Sequence, residues 1–258
     1  MKLRQSSVDQ PRHGLARALS KLGVCSRTQA SDWIRAGRVV LNGKVQLDPE
    51  APTLVGIDRI AVDGVEVGAA ESVHIILNKP RGYVTTARDE RGRATVYDLL
   101  MDAGLPWLGP VGRLDQASEG LLLLSNDTAW ANGITGPVSA RSPSGGGGFD
   151  KRYHVQIDCL PDAVLLDALI AGVDDGGDIM AVKSVSELRR GQRNAWLDIV
   201  LDEGRNRQIR RLLSSLDVAV LRLVRVAIGD LQLGDLSRGQ WRHLERAEVD
   251  ALRTSSFP

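Results

Sequence analysis

Cysteine is nearly missing from this chain. Cys25 and Cys159 are the only two in 258 residues and lie far apart, too few for a disulfide framework or a cysteine-built metal site. Histidine is as sparse: His13, His74, His154 and His243 stand singly, and no metal ligand set is expected from them. No run approaches the roughly 18 apolar residues that a membrane-spanning helix needs. The opening MKLRQSSVDQPRHG puts no apolar stretch behind its basic residues, which argues against a secretory signal. A glycine motif of the phosphate-cradling kind is also missing. These absences predict a cytoplasmic protein with no metal, no cofactor and no membrane contact.

Net charge is small too, at +1, but it is unevenly spread. Residues 1–46 hold nine Lys and Arg against two acids, and Glu203–Arg211 holds four arginines against one. Two basic patches in a near-neutral chain are what a phosphate-binding surface requires, although a charge run is also how an ordinary solvated face looks. At this length one large and one small domain are expected, with a sizeable core.

The polar first dozen residues (1–12) read as a disordered arm. Leu15, Ala18, Leu19 and Leu22 then recur on one helical face that stops at Gly23. Ser26 with Gln29 three residues on reads as a capping box, opening a helix striped by Ala30, Trp33 and Ile34 and ended by Gly37. Asn42-Gly43 and Asp63-Gly64 each sit between short apolar runs, as type I′ hairpin turns do. Gly68–Ser72 reads as a linker. Val73–Leu77 is strand-like and halts at Pro80. Residues 139–150, with four consecutive glycines, read as a flexible loop. Tyr153–Ile157 and Trp196–Leu201 are β-rich, and a helix follows Gly204 with Ile209, Leu212, Leu213 and Leu216 in phase.

The densest constellation is Gly112-Arg113-Leu114-Asp115-Gln116-Ala117-Ser118-Glu119-Gly120, running into four leucines. An aspartate among turn formers beside a buried strand is a carboxylate held at the edge of a core. It also suits a turn cap or a partner for Arg113.

Two resemblances sharpen this reading. The segment from Gly14 to Glu50, with its Leu-x-x-x-Gly-x-x-Ser-Arg turn and Val-Leu-Asn-Gly-Lys hairpin, resembles the αL RNA-binding domain of ribosomal protein S4. Asn78-Lys79-Pro80, Gly112–Asp115, Lys151-Arg152-Tyr153 and Glu203–Arg211 resemble, in order and spacing, the motifs of the ribosomal pseudouridine synthases. The likeness spans roughly His13 to Leu244. It implies an α+β fold: an S4-like domain over 13–68, then over 73–250 a catalytic domain with a mixed, mainly antiparallel sheet flanked by helices.

The resemblance implies isomerisation of a uridine in ribosomal RNA, by a protein expected to be monomeric. Asp115 matches the catalytic carboxylate, Tyr153 the aromatic that stacks on the flipped uracil, and Arg210 the partner that salt-bridges Asp115. An ionised carboxylate needs such a partner, and a uridine within folded RNA must be extruded into a pocket. Tyr153 could still be an ordinary strand aromatic, and Arg207 or Arg211 could be the partner instead. Arg207 is expected on the same helix as Arg210, about 60° away around its axis, facing phosphate. Lys79, Arg113, Arg205, Asn206, Arg207 and Gln208 are the remaining substrate and RNA candidates, with Arg17, Arg27, Arg35, Arg38 and Lys44 on the N-terminal domain. The Asn206-Arg207-Gln208 form points to large-subunit (23S) rather than small-subunit RNA. The sequence departs from the family pattern at Thr128, where glycine is usual, and at Ile134–Pro137, where a His-Pro loop is usual. The alternatives are a non-catalytic RNA-binding or ribosome-assembly factor that keeps the fold, and a nucleosidase that releases uracil.

Overall fold

A computed structural model describes residues 11–68, 70–135, 149–174, 176–177 and 179–253. The N-terminal arm up to residue 10, linker residue Ala69 and the glycine-bearing loop up to residue 148 lie outside the described residues. The chain forms two compact units. One comprises residues up to Val73 together with Gly104–Gly109 and Ser125–Thr128; the other comprises His74–Ala103, Pro110–Leu124 and the chain from Ala129 onward.

In the first unit the helices Leu15–Lys21 and Arg27–Arg35 pack against an antiparallel sheet. Its strand order is Lys44–Val45, Val39–Leu41, Ile60–Val62, Val65–Val67. The helical stripe forms the core: Leu15, Leu19, Ala30, Ile34, Val39 and Ile60 are all buried. The turns have the chemistry the sequence asks for. Asn42-Gly43 takes φ of 51° and 82°, and Asp63-Gly64 takes 51° and 81°, the left-handed pair of a type I′ turn. Ser26 Oγ accepts from Gln29 N at 3.1 Å, but Gln29 returns no side-chain bond, so only half of the capping box forms.

In the second unit most of the described strands build one mixed sheet, while Val173–Asp174 and Ile179–Met180 form a separate antiparallel pair. Its main path runs Ser184–Arg190, Ala195–Leu201, Lys151–Ile157, Val220–Ile228, Glu119–Ser125, His74–Lys79, Trp241–His243. The first four strands pair antiparallel; Val220–Ile228 and Glu119–Ser125 meet in parallel. At that joint the backbones approach so closely that a Cβ on Gly120, whose φ is 100°, would lie 2.3 Å from Arg225 O. The mixed, mainly antiparallel sheet with flanking helices is therefore the observed architecture.

The two halves of the sheet are covered differently. Leu121 to Leu124 are all fully buried, so both faces of that strand carry core. Leu121 and Leu123 meet Ile76, Val111, Trp130 and Ile228. Among the described residues, only one face of the antiparallel strands is covered. Val155, Ile157, Leu197 and Ile199 are fully buried, while Arg152, His154 and Asp198 on the opposite face remain partly exposed. This alternation is the two-residue period of a sheet with one wet side.

Candidate active site

Asp115 lies in the turn that leads into the Glu119–Ser125 strand, and the main chain of that turn is tied down carbonyl by carbonyl. Leu114 O accepts from Thr85 Oγ1 at 2.8 Å. Asp115 O accepts from Lys79 Nζ at 3.1 Å and from Ser118 N at 3.0 Å. Gln116 O accepts from Gly82 N at 2.8 Å, Ala117 O from Arg210 Nη2 at 3.0 Å, and Ser118 O from Lys79 Nζ at 2.8 Å. Residues 79–85 and Arg210 thus hold five consecutive carbonyls. The Asp115 side chain is left to face a cavity of about 870 Å³.

Arg113, Asp115, Tyr153, Arg205, Asn206, Arg207 and Gln208 all line that cavity. Tyr153 comes from the Lys151–Ile157 strand, is 9% exposed, and has the buried Arg225 as its cross-strand partner. Arg225 also lines the cavity and donates through Nε to Leu121 O at 2.8 Å.

Three expectations need correction. The guanidinium on Asp115 is that of Arg207, with Nη1 3.3 Å from Oδ2, and not that of Arg210. The cause is backbone conformation. Arg207 is the N-cap of the Gln208–Ser214 helix and not a helical residue, with φ 50° and ψ 30°. Left-handed geometry is uncommon for a non-glycine residue, and it removes Arg207 from the 100° helical phase that set the expected 60° separation. Arg210 is half-buried and is spent on the carbonyls of Ala117 and Val220. Burial is the main effect that lowers its pKa; Arg207 pushes the same way and Asp115 opposes both.

Lys79, expected at the substrate, does not line the cavity. It is fully buried, and its three donors go to the carbonyls of Pro80, Asp115 and Ser118. Burial pushes its ammonium down to about 8, with Asp115 and Glu119 opposing. Gln208, 2% exposed, donates to Glu203 Oε1 at 2.7 Å and to Ala181 O at 3.2 Å, and accepts from Arg205 N. It braces the loop before the helix. Arg205 is held beside it by Glu203 at 2.9 Å. Arg113 and Asn206 are exposed at the cavity wall.

A further stretch of the cavity wall lies outside the sequence motifs. Thr85, Thr86, Arg88, Arg91 and Arg93 line the cavity there, with Arg93 fixed to Asp89. The run Arg88-Asp-Glu-Arg-Gly-Arg93 carried a signal, three arginines in six residues, but its near-balanced charge hid it.

On the first unit Arg17, Arg27, Arg35, Arg38 and Lys44 are all exposed. Arg38 is compensated by Asp63 and stacked over Trp33, 4.9 Å from the ring centre. Lys21 belongs with the group: it meets His13 at 2.8 Å, and the nearby positive charges of Arg17 and Arg27 help to lower its pKa, after burial.

Residues 73–215 match the family model for RNA pseudouridylate synthase, and residues 14–52 match that of the S4 domain. Ribosomal large subunit pseudouridine synthase B of Bacillus subtilis (strain 168) is 33% identical over 242 residues, covering 93% of this chain and 95% of its own. The protein of that name from Escherichia coli (strain K12) is 34% identical over 247 residues, covering 93% and 81%. A crystal structure of a pseudouridylate synthase superposes with a TM-score of 0.62 at 26% identity, over 94% of this chain and 99% of that one.

Proposed function

Because the chain belongs to the RNA pseudouridylate synthase family, we propose that it converts a uridine of large-subunit ribosomal RNA to pseudouridine, with Asp115 as the catalytic carboxylate. In that reaction the C1′–N1 bond breaks, the uracil turns within the pocket, C5 bonds to C1′, the proton on C5 is lost to solvent and N1 takes up a proton in its place. Asp115 acts at the ribose while C1′ carries positive charge. The observation that carries this reading is the turn itself: a carboxylate on a tethered main chain, at a cavity large enough for a nucleotide that Tyr153 also lines.

The parts of the cavity take complementary roles. Arg207 pairs with the Asp115 carboxylate and orients it at the cavity, Nη1 to Oδ2 3.3 Å. Tyr153 offers a ring face for the extruded uracil. Arg113, Asn206 and the arginines of 88–93 meet the phosphates around it. Lys79 and Arg210 are positioning residues that act through the carbonyls of the turn. The S4-like unit holds structured RNA through Arg17, Lys21, Arg27 and Arg35, reading shape and phosphate. We read the working form as a cytoplasmic monomer; sedimentation at working concentration checks the latter.

The reaction conserves mass, so the assay is tritium released from C5-labelled uridine in a large-subunit RNA fragment. Asp115→Asn, nearly isosteric but uncharged, should reduce the single-turnover rate by at least about a thousandfold while RNA affinity stays within about twofold. Appreciable turnover by that variant would remove Asp115 from the chemistry. RNA binding without tritium release by the native protein would instead identify a pure binder, and an abasic product would identify a nucleosidase.

A further inference from the structure

The open face of the antiparallel strands carries a second constellation that the active site does not use. Register places His154 opposite Asp198 and Val224, and Gln156 opposite Trp196 and Arg222, so these side chains share one face. Arg189 pairs with Trp196 across the neighbouring strand. Trp196 is 9% exposed because two guanidiniums stack on it, Arg189 at 4.8 Å and Arg222 at 5.4 Å from the ring centre. Beside the stack lies a recess of about 240 Å³ bounded by His154, Leu188, Arg189, Trp196 and Val224.

The charges here do not cancel. Arg222 grips the buried Glu119 through two bonds of 3.0 and 2.9 Å, and Arg238, 63% exposed, crowds the same carboxylate at 3.5 Å. Arg152 is matched by Asp198. With Arg189, three arginines therefore face one glutamate, a surplus of two positive charges. Polar capacity is unspent as well. Asp198 Oδ1 is buried and has no hydrogen-bond partner among the described residues, with His154 Nε2 3.9 Å away. Burial, with Arg152 and Arg189 adding to it and Asp198 opposing, lowers the His154 pKa. A neutral imidazole can both donate and accept at a base edge.

We propose that this face is a second RNA-contact surface. It takes single-stranded nucleotides flanking the target stem, with phosphates on Arg189 and Arg238 and one base stacked on the Arg189 guanidinium over the recess. An open sheet face with a stacked guanidinium–indole plate suits unpaired bases. Positive surplus selects nucleic acid over an apolar partner. The inference rests on the RNA-modifying reading above and adds where the RNA runs beyond the cavity.

The test uses the full chain with Arg189→Gln and Arg238→Gln, singly and together, both at exposed side chains. Substrates are a large-subunit RNA hairpin with and without single-stranded flanks. For the flanked RNA the double variant should bind about tenfold more weakly and raise KM to match, with kcat little changed. Its salt slope should fall by about 1.4, two contacts at about 0.7 each. The flankless hairpin should show neither change. 4-Thiouridine in the flank should crosslink to the 184–201 hairpin. Equal affinities for both RNAs in all variants would overturn the surface while leaving the enzyme reading intact. A native protein that isomerises nothing would sink the enzyme reading, yet the binding comparison would still decide the surface. Variants that altered only sedimentation would assign the face to a second copy and refute the proposal.

Discussion

Replacing Lys79 by methionine should separate activity from stability. Met fills nearly the same volume without the ammonium. Asp115 O keeps its bond from Ser118 N, but the carbonyls of Pro80 and Ser118 lose their Lys79 donor. An unsatisfied buried group costs about 1–3 kcal/mol, so the two together cost about 2–6. Against this stands the relief of no longer burying a charge. The Lys79 ammonium is pushed from 10.5 to about 8; at 1.36 kcal/mol per pH unit that depression is equivalent to about 3 kcal/mol. The terms largely offset, and unfolding free energy should shift by no more than about 3 kcal/mol. Positioning has no such offset. The Asp115 turn loses two of its ties, and a displacement of about 1 Å can cost about a hundredfold in rate. The expected pattern is kcat down about 10- to 100-fold, KM for RNA within about twofold, and a modest change in denaturant midpoint. Single-turnover tritium release and urea unfolding measure both. Native kcat in the folded variant would refute the idea that the Lys79 tie positions the carboxylate.

Other changes should behave as their surroundings dictate. Arg210→Ala should slow the chemical step more than Arg207→Ala, because it frees the carbonyls of Ala117 and Val220, whereas the half-exposed Arg207–Asp115 pair is worth about 0–1 kcal/mol; the opposite order in single-turnover rates would exchange their roles. Gly120→Ala should prevent stable folding, since its Cβ would meet Arg225 main chain at 2.3 Å and 2.9 Å; a native-like circular dichroism melt would disprove that clash. Replacing Arg17, Lys21 and Arg27 by alanine should lower the salt slope of RNA binding by about 2–3, at about 0.9 per phosphate contact on duplex; an unchanged slope would take this surface away from RNA.

Local rules made much of this chain readable in advance. Asn42-Gly43, Asp63-Gly64 and the Ser26 cap each depend on neighbours a few residues away, and each formed in the expected place. The Asp115 turn was legible because turn formers abut four leucines. What failed depends on distant partners or on a single backbone angle. Nothing in Asn78-Lys79-Pro80 tells that the lysine will be enclosed by the carbonyls of residues 115 and 118. Gln208 looked like a surface ligand because its acceptor, Ala181 O, lies 27 positions upstream. Arg207 was misplaced by assuming helical phase where the chain turns left-handed. The face bearing Trp196 and Arg222 appears only once four strands are in register.

The ties that hold residues 114–118 from Lys79, Thr85, Gly82 and Arg210 end on main-chain oxygens, with one side-chain bond added by Gln116 to Gly82 O, and that has a bearing on heredity. A hydrogen bond to a peptide carbonyl does not read the side chain of the residue that supplies it. Ala117 can therefore drift without loosening the turn, while a change at Lys79, Thr85 or Arg210, distant in sequence, is felt at the carboxylate. Selection for a fixed Asp115 should thus fall on the donors and spare the acceptors. Variation tolerated at Ala117 and forbidden at Lys79, Thr85 and Arg210 would be the mark left on the gene.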